Sequence, residues 1–239
     1  MQIEQYEEIL AQGEADCEQA LELSRKGQAE LSIPLFEKAV NGFMEIDHQA
    51  WLNFTRHEML APLHALGRKA EWVPLGRLIL EGYRALEDAS AMCLLLTYLA
   101  HLHQEDQDDD QALEALRLAE AIALSERQAE VMPIIRGNLA VQLLLRERYG
   151  DAVTLLLQAL DGYQEDARER SWLHEKLGFA YRELYLLKQA EDHYLKALEG
   201  YLAHQDQDLA YAVMADLRDF YQQIGKTAEA AALAKKLSP

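Results

Sequence analysis

Residues Ser171 to Tyr201 read SWLHEKLGFAYRELYLLKQAEDHYLKALEGY. Two helical patterns stand there, joined by a short turn. Leu177 and Gly178 are followed by Tyr181, and Ala190 by Tyr194 and Ala197. Apolar or small residues at steps of three and four share one face of a helix. Gly178 and Ala190 are small on what would be facing helices, so the two backbones can approach closely.

The rest of the chain repeats this unit. Small residues near the start of each second helix recur as Ser32, Ala112, Ala152, Ala190 and Ala230, with Trp72 where the pattern degenerates. A second marker, apolar-x-Gly-aromatic, recurs around Gly42, Gly82, Gly162 and Gly200. The turn glycines Gly27, Gly67 and Gly225 hold the same phase, as does the pair Pro34 and Pro74. Four kinds of marker in one register divide the whole chain, as one continuous domain, into repeats at 12–50, 51–90, 91–130, 131–168, 169–208 and 209–239.

The central segment resembles the tetratricopeptide (TPR) pattern W-x2-L-G-x2-Y…A-x3-F. His174 stands where the pattern has Trp, and Leu202 lies near the place of its final Pro. The resemblance implies an all-α, right-handed α-solenoid of about six helix hairpins, or about twelve helices. A stride near 40 rather than 34 residues lengthens each hairpin by roughly 9 Å of helix. In that respect the chain is similar to the arrays of kinesin light chains and of bacterial Rap and MalT-type regulators. Those proteins bind cargo, response regulators, signalling peptides or small inducers. The Lys-Asn-Arg clamp with which some family members hold peptide C-termini is not reproduced, although Asn138 and Arg182 lie near its place.

Composition supports such a fold and narrows its use. Half of the 239 residues are hydrophobic, with 12 Gly and 5 Pro, so core material is ample and helix breakers are few. The formal charge of −18 repels phosphate backbones and disfavours nucleic acid, while a basic or amphipathic partner suits it. Cys17 and Cys93 fall in different repeats, which fits free thiols in a reducing, cytoplasmic setting. No secretory signal or membrane-spanning run is expected.

Several local expectations follow. Residues 2–26 should form one helix, with Gly13 as a weak point, and Ser32 with Pro34 should open the next. Pro62 falls in the middle of a helical pattern and should kink or end it. Asp106, Asp108 and Asp110 imitate the start of a calcium loop, but Gln111 and Arg117 replace its glycine and closing glutamate. These aspartates should instead cap and flank the following helix.

No catalytic, phosphate-binding, metal or cofactor motif is found, and a non-catalytic module is expected. His57, His64 and His101 could approach one another across repeats, yet a metal site needs fixed ligands and a second shell. Matched to the TPR pattern, the first helices would line a concave groove. Phe54, His57, Ala61, His64, Leu94, Thr97 and His101 come from the second and third repeats. Ile134, Gly137, Val141, Leu144, Trp172, Glu175, Phe179 and Arg182 come from the fourth and fifth, with packing between repeats as the alternative place for Phe54, Leu94, Ile134 and Trp172. Gly137 would let a ligand near the backbone, while Leu139, Leu143, Leu177 and Tyr181 supply the core stripe. Such a groove suits a protein or peptide partner. The alternative is a regulatory sensor that holds a small molecule or signalling peptide in the same groove.

Overall fold

The computed structural model describes residues 2–165 and 167–237. Among them every regular element is helical: α1 Ile3–Arg25, α2 Ala29–Glu45, α3 Gln49–Glu58, α4 Leu60–Ala65, α5 Lys69–Ala85, α6 Ala89–Glu105 and α7 Asp109–Ser125. They continue as α8 Met132–Leu145, α9 Tyr149–Leu160, α10 Glu169–Glu183, α11 Leu187–Ala203, α12 Gln207–Gln223 and α13 Thr227–Leu237. Two compact units share them, residues 1–108 and 109–239. In the first, α1 packs on α2, α2 on α3 and α4, and α5 on α3, α4 and α6. In the second, each helix from α7 to α13 packs on its successor. Neighbour-on-neighbour packing of this kind is what a repeat array requires.

The connections explain the stride. Gly27, Asp47, Gly67, Glu87, Gln107, Arg127, Glu147, Tyr185, Gln205 and Gly225 all have φ between 54° and 79°. Each follows a helix, and the N–H of the next residue returns to the carbonyl five residues back, as in Gln28 to Leu23 (2.9 Å) and Asp206 to Tyr201 (2.9 Å). This bond closes a Schellman-type helix end. Up to Glu147 these turns fall every 20 residues, which halves the 40-residue repeat. The left-handed conformation costs an L-residue about 1 kcal/mol that glycine escapes. Glu87→Gly should therefore stabilise the fold by roughly 0.5 kcal/mol, and Gly67→Ala should cost about 1. Urea midpoints of the two variants check the opposite signs.

At Ser32 the small-residue marker has a different cause from the expected helix cap. Helix α2 starts at Ala29, not at Ser32, and Gln28 precedes it without a side-chain cap. Ser32 is buried and its hydroxyl donates to the Ala29 carbonyl at 2.9 Å. Ser32, Trp72, Ala112, Ala152, Ala190 and Ala230 are each the fourth residue of their helix, and all are 3 % exposed or less. They are small because helices cross there, with Trp72 as the large exception. Pro34 and Pro74 likewise lie inside α2 and α5, which run through them.

The glycine of the second marker has a matching role. Gly82 lies against the Asn53 amide, Gly162 against the Pro133 ring and Gly200 against the Ser171 hydroxyl, each too close for a methyl group. These contacts join the end of each second helix to the start of its own first helix. Pro62 interrupts rather than ends its helix. The α-helix breaks at Met59, which keeps right-handed angles (φ −72°, ψ −19°), and resumes at Leu60. Helix α1 runs unbroken through Gly13, which packs against the Phe43 ring.

Candidate binding surface

In the first unit, α3 and α6 carry the exposed apolar side chains of the first helices. Phe54 is 40 % exposed and Leu94, its equivalent one repeat later, 45 %. Trp51 stacks on the buried Phe43 (5.5 Å between centroids, 14°) and takes the edge of Phe54 (5.4 Å, 84°). With His48 and Ala50, Trp51 and Phe54 line an apolar notch of about 320 Å³. The notch is anchored from below: His48 Nδ1 accepts the Trp51 backbone N–H at the start of α3. Ala61 and His101 are also exposed, whereas Thr97 is buried with its hydroxyl donating to the Cys93 carbonyl.

The three groove histidines take two different roles. His57 is half-buried, its Nδ1 lies 3.2 Å from the Tyr83 hydroxyl, and its ring rests on Tyr98. Burial pushes its pKa down, which favours the neutral ring. His64 faces acids instead, with Nε2 at 3.1 Å from Asp106 and Nδ1 at 3.4 Å from Glu105. Glu105 also meets His101 Nε2 at 3.3 Å. Lys69 joins from α5 to Asp106 (3.3 Å) and Asp108 (3.2 Å), and Trp72 lies between the rings of His64 and His103. The structure thus unites His64 and His101 through one carboxylate and leaves His57 apart. Among the described residues no three His, Cys, Asp or Glu side chains are arranged to hold a metal ion.

In the second unit, Phe179 and Arg182 on α10 are half-buried and form one element. The guanidinium lies 4.9 Å from the Phe179 centroid and pairs with Glu183 at 2.9 Å. Tyr149 of α9 meets the same ring edge-on at 6.2 Å. Val141 is half-buried on α8. Leu144 is 8 % exposed and belongs to the core cluster with Leu156 and Leu177, while Leu143 is the partly buried one. Gly137 does not open onto free space either. A methyl group there would come within 2.8 Å of the Trp172 ring and 3.2 Å of Leu173.

A second concavity was not foreseen. Arg170, Ser171 and His174 of α10, with Lys196, Glu199, Gly200 and Ala203 of α11, border a cleft of about 390 Å³. Arg170 donates to the Leu160 and Tyr163 carbonyls (2.7 and 3.2 Å), which ties the preceding loop to α10. At its wall His174 Nδ1 lies 2.9 Å from His193 Nδ1, and Tyr181 stacks on His193 at 5.3 Å. Burial, then His193 and the cations Arg170 and Lys196, hold the His174 pKa down at about 4. The two rings lie 19 residues apart in sequence, so no local motif marks them.

No protein-family model matches the sequence, and no curated protein does. Solved structures do. BtubC (BKLC) from P. vanneervenii superposes with a TM-score of 0.70 at 19 % identity, over 97 % of this chain and 89 % of that one. The apo form of RapI gives 0.66 at 16 %, over 98 % and 74 %. A kinesin-light-chain-type array of nearly identical TPR-like repeats from Podospora anserina gives 0.62 at 18 %, over 80 % and 96 %. At such identities the likeness speaks for the fold alone. The fold of this chain is that of the tetratricopeptide-repeat proteins.

Proposed function

We propose that the chain is a non-catalytic module that binds a protein or peptide through the surface of its first helices. The observation that carries this reading is the repeated exposure of Phe54 and Leu94 at equivalent positions of α3 and α6. Neither side chain is required by the core, and one adjoins the apolar notch at Trp51. An apolar anchor of the partner would enter that notch, and polar groups would meet His64, His101 and Glu105. In the second unit Val141, Phe179 and Arg182 offer a comparable ring and cation. A basic or amphipathic segment fits the net charge of −18.

Phe54→Asp with Leu94→Asp tests the reading. Both positions are exposed, so the helical signal should stay unchanged while affinity for a partner captured by the unaltered chain falls at least tenfold. Unchanged capture would refute it. The small-molecule reading draws on one observation, the cleft between α10 and α11. A ligand seated there should raise the melting temperature in a metabolite screen, and Lys196→Ala should abolish the rise.

A further inference from the structure

Phe54 and Glu58 stand four residues apart on α3, so they share one face, a single helical turn from each other. Phe54 is the exposed ring beside the apolar notch. Glu58 is half-buried, and among the described residues it makes no ion pair and no side-chain hydrogen bond. Acids of similar burial elsewhere are matched: Glu175 pairs with Lys176, Glu183 with Arg182 and Glu191 with Lys226. Burial pushes the Glu58 pKa up, and Arg25, exposed at the end of α1, eases this only from beyond ion-pair distance.

Three other helices of the first unit surround the carboxylate. Cys17 of α1, Tyr83 of α5 and Tyr98 of α6 have pKa values raised chiefly by burial, and the charge of Glu58 adds to each. Tyr98 follows the exposed Leu94 by four residues, as Glu58 follows Phe54. Each of the two helices thus carries an exposed apolar side chain and, one turn on, a half-buried polar one. A carboxylate that has lost part of its water and gained no cation is unfavourable in the free chain. A positive group brought by another molecule relieves it, and an aromatic ring beside it attracts the same sign of charge. A metal ion would need further ligands, and none are arranged for one among the described residues. A basic side chain needs only the carboxylate, and its methylene stem suits the apolar ring next to it.

We infer that the partner sets a lysine or arginine side chain on Glu58, with its stem along Phe54 and an apolar residue close by in its sequence entering the notch. One helical turn of α3 spans about 6 Å, which about two residues of an extended partner or one turn of a helical one would cover. This rests on the proposed use of the first helices as the binding surface and names the chemistry that they recognise.

Random twelve-residue peptides displayed on phage and panned on the full chain supply the probe, and the strongest binder is then synthesised. The selected peptides should carry Lys or Arg within four positions of an apolar residue. Replacing that basic residue by norleucine should weaken binding about tenfold, and Glu58→Gln should weaken the original peptide equally. Both changes together should cost no more than either alone, because they remove one contact. Glu81→Gln, at an exposed acid of α5, should cost less than about twofold, which separates Glu58 from the pull of the whole charge. Glu58→Gln should melt no lower than the unaltered chain at pH 7, since it removes a half-buried charge without a partner. Additive losses, a lower melting temperature, or tight binders that lack a basic residue would overturn the inference. If Phe54→Asp with Leu94→Asp still abolished binding in those cases, the first helices would remain the binding surface. Panning that enriches nothing, or peptides indifferent to that double variant, would overturn both.

Discussion

Lowering the pH from 7 to 4 will remove about 2 kcal/mol of folding stability through the histidine pair of α10 and α11. His174 is held near 4 in the folded chain, against an ordinary value of about 6.5 once unfolded. Above pH 6.5 both states carry a neutral ring and no difference arises. As the pH falls below 6.5, the unfolded chain takes up a proton that the folded chain refuses. Stability therefore declines until the pH reaches about 4, where the folded ring protonates too and the loss levels off. His193, depressed by burial and by Lys196, adds in the same direction. So do His57 and His103, both depressed chiefly by burial.

Burial of the His174 ring is the main cause, and the geometry of the pair adds to it. With Nδ1 at 2.9 Å from Nδ1, one ring must donate and the other accept. Protonating the accepting ring at Nδ1 would leave two donors face to face, with Arg170 and Lys196 adding positive charge and Asp192 opposing it. Glu58 and Asp216 work against the trend, since burial raises their pKa values and their protonation favours the folded state. The variant His174→Phe isolates the pair. Urea midpoints at pH 7, 6, 5 and 4 should show a shallower slope for the variant than for the unaltered chain. Parallel slopes would mean that the two imidazoles are not what titrates.

The repeat was legible because two marker positions are constrained by space, while the turns were legible only in part. Buried crossing points favour Ser or Ala at the fourth residue of a helix, and five of the six keep one, Trp72 being the exception. Left-handed turns prefer glycine by only about 1 kcal/mol. Seven of the ten therefore hold other residues, from Asp47 to Gln205, and could not be recognised. Burial on α8 was misjudged for a related reason. Its sequence MPIIRGNLAVQLLL is apolar on nearly every side, so periodicity does not distinguish Leu143 from Leu144. In the sequence His174 stands out only as a replacement for the pattern's Trp, because its partner His193 comes from the facing helix. The exposed run from Leu184 to Leu187 was visible as sequence, but an apolar run beside two helices reads as core until the turn is placed.

Two glycine-to-alanine changes in the second unit should have opposite signs. Gly178 faces Tyr194 across the α10–α11 crossing, where a methyl group would lie 2.8 Å from ring carbons Cγ and Cδ1. Tyr194 is 1 % exposed, stands against Phe220, and sits in the cluster with Ala190, Ala197 and Val213. Its ring cannot retreat without displacing α11 from α10, so Gly178→Ala should cost about 2–3 kcal/mol. Gly150 is exposed in the first turn of α9, and nothing lies within 4 Å of an added methyl. There alanine only removes backbone freedom from the unfolded chain, so Gly150→Ala should gain about 0.5 kcal/mol. Replacing Tyr194 by Leu in the Gly178→Ala background clears the ring from the methyl's path and should recover part of the loss. If Gly178→Ala were neutral, α10 and α11 would not meet as closely as Gly178 and Tyr194 do here. Urea midpoints of the three variants against the unaltered chain decide it.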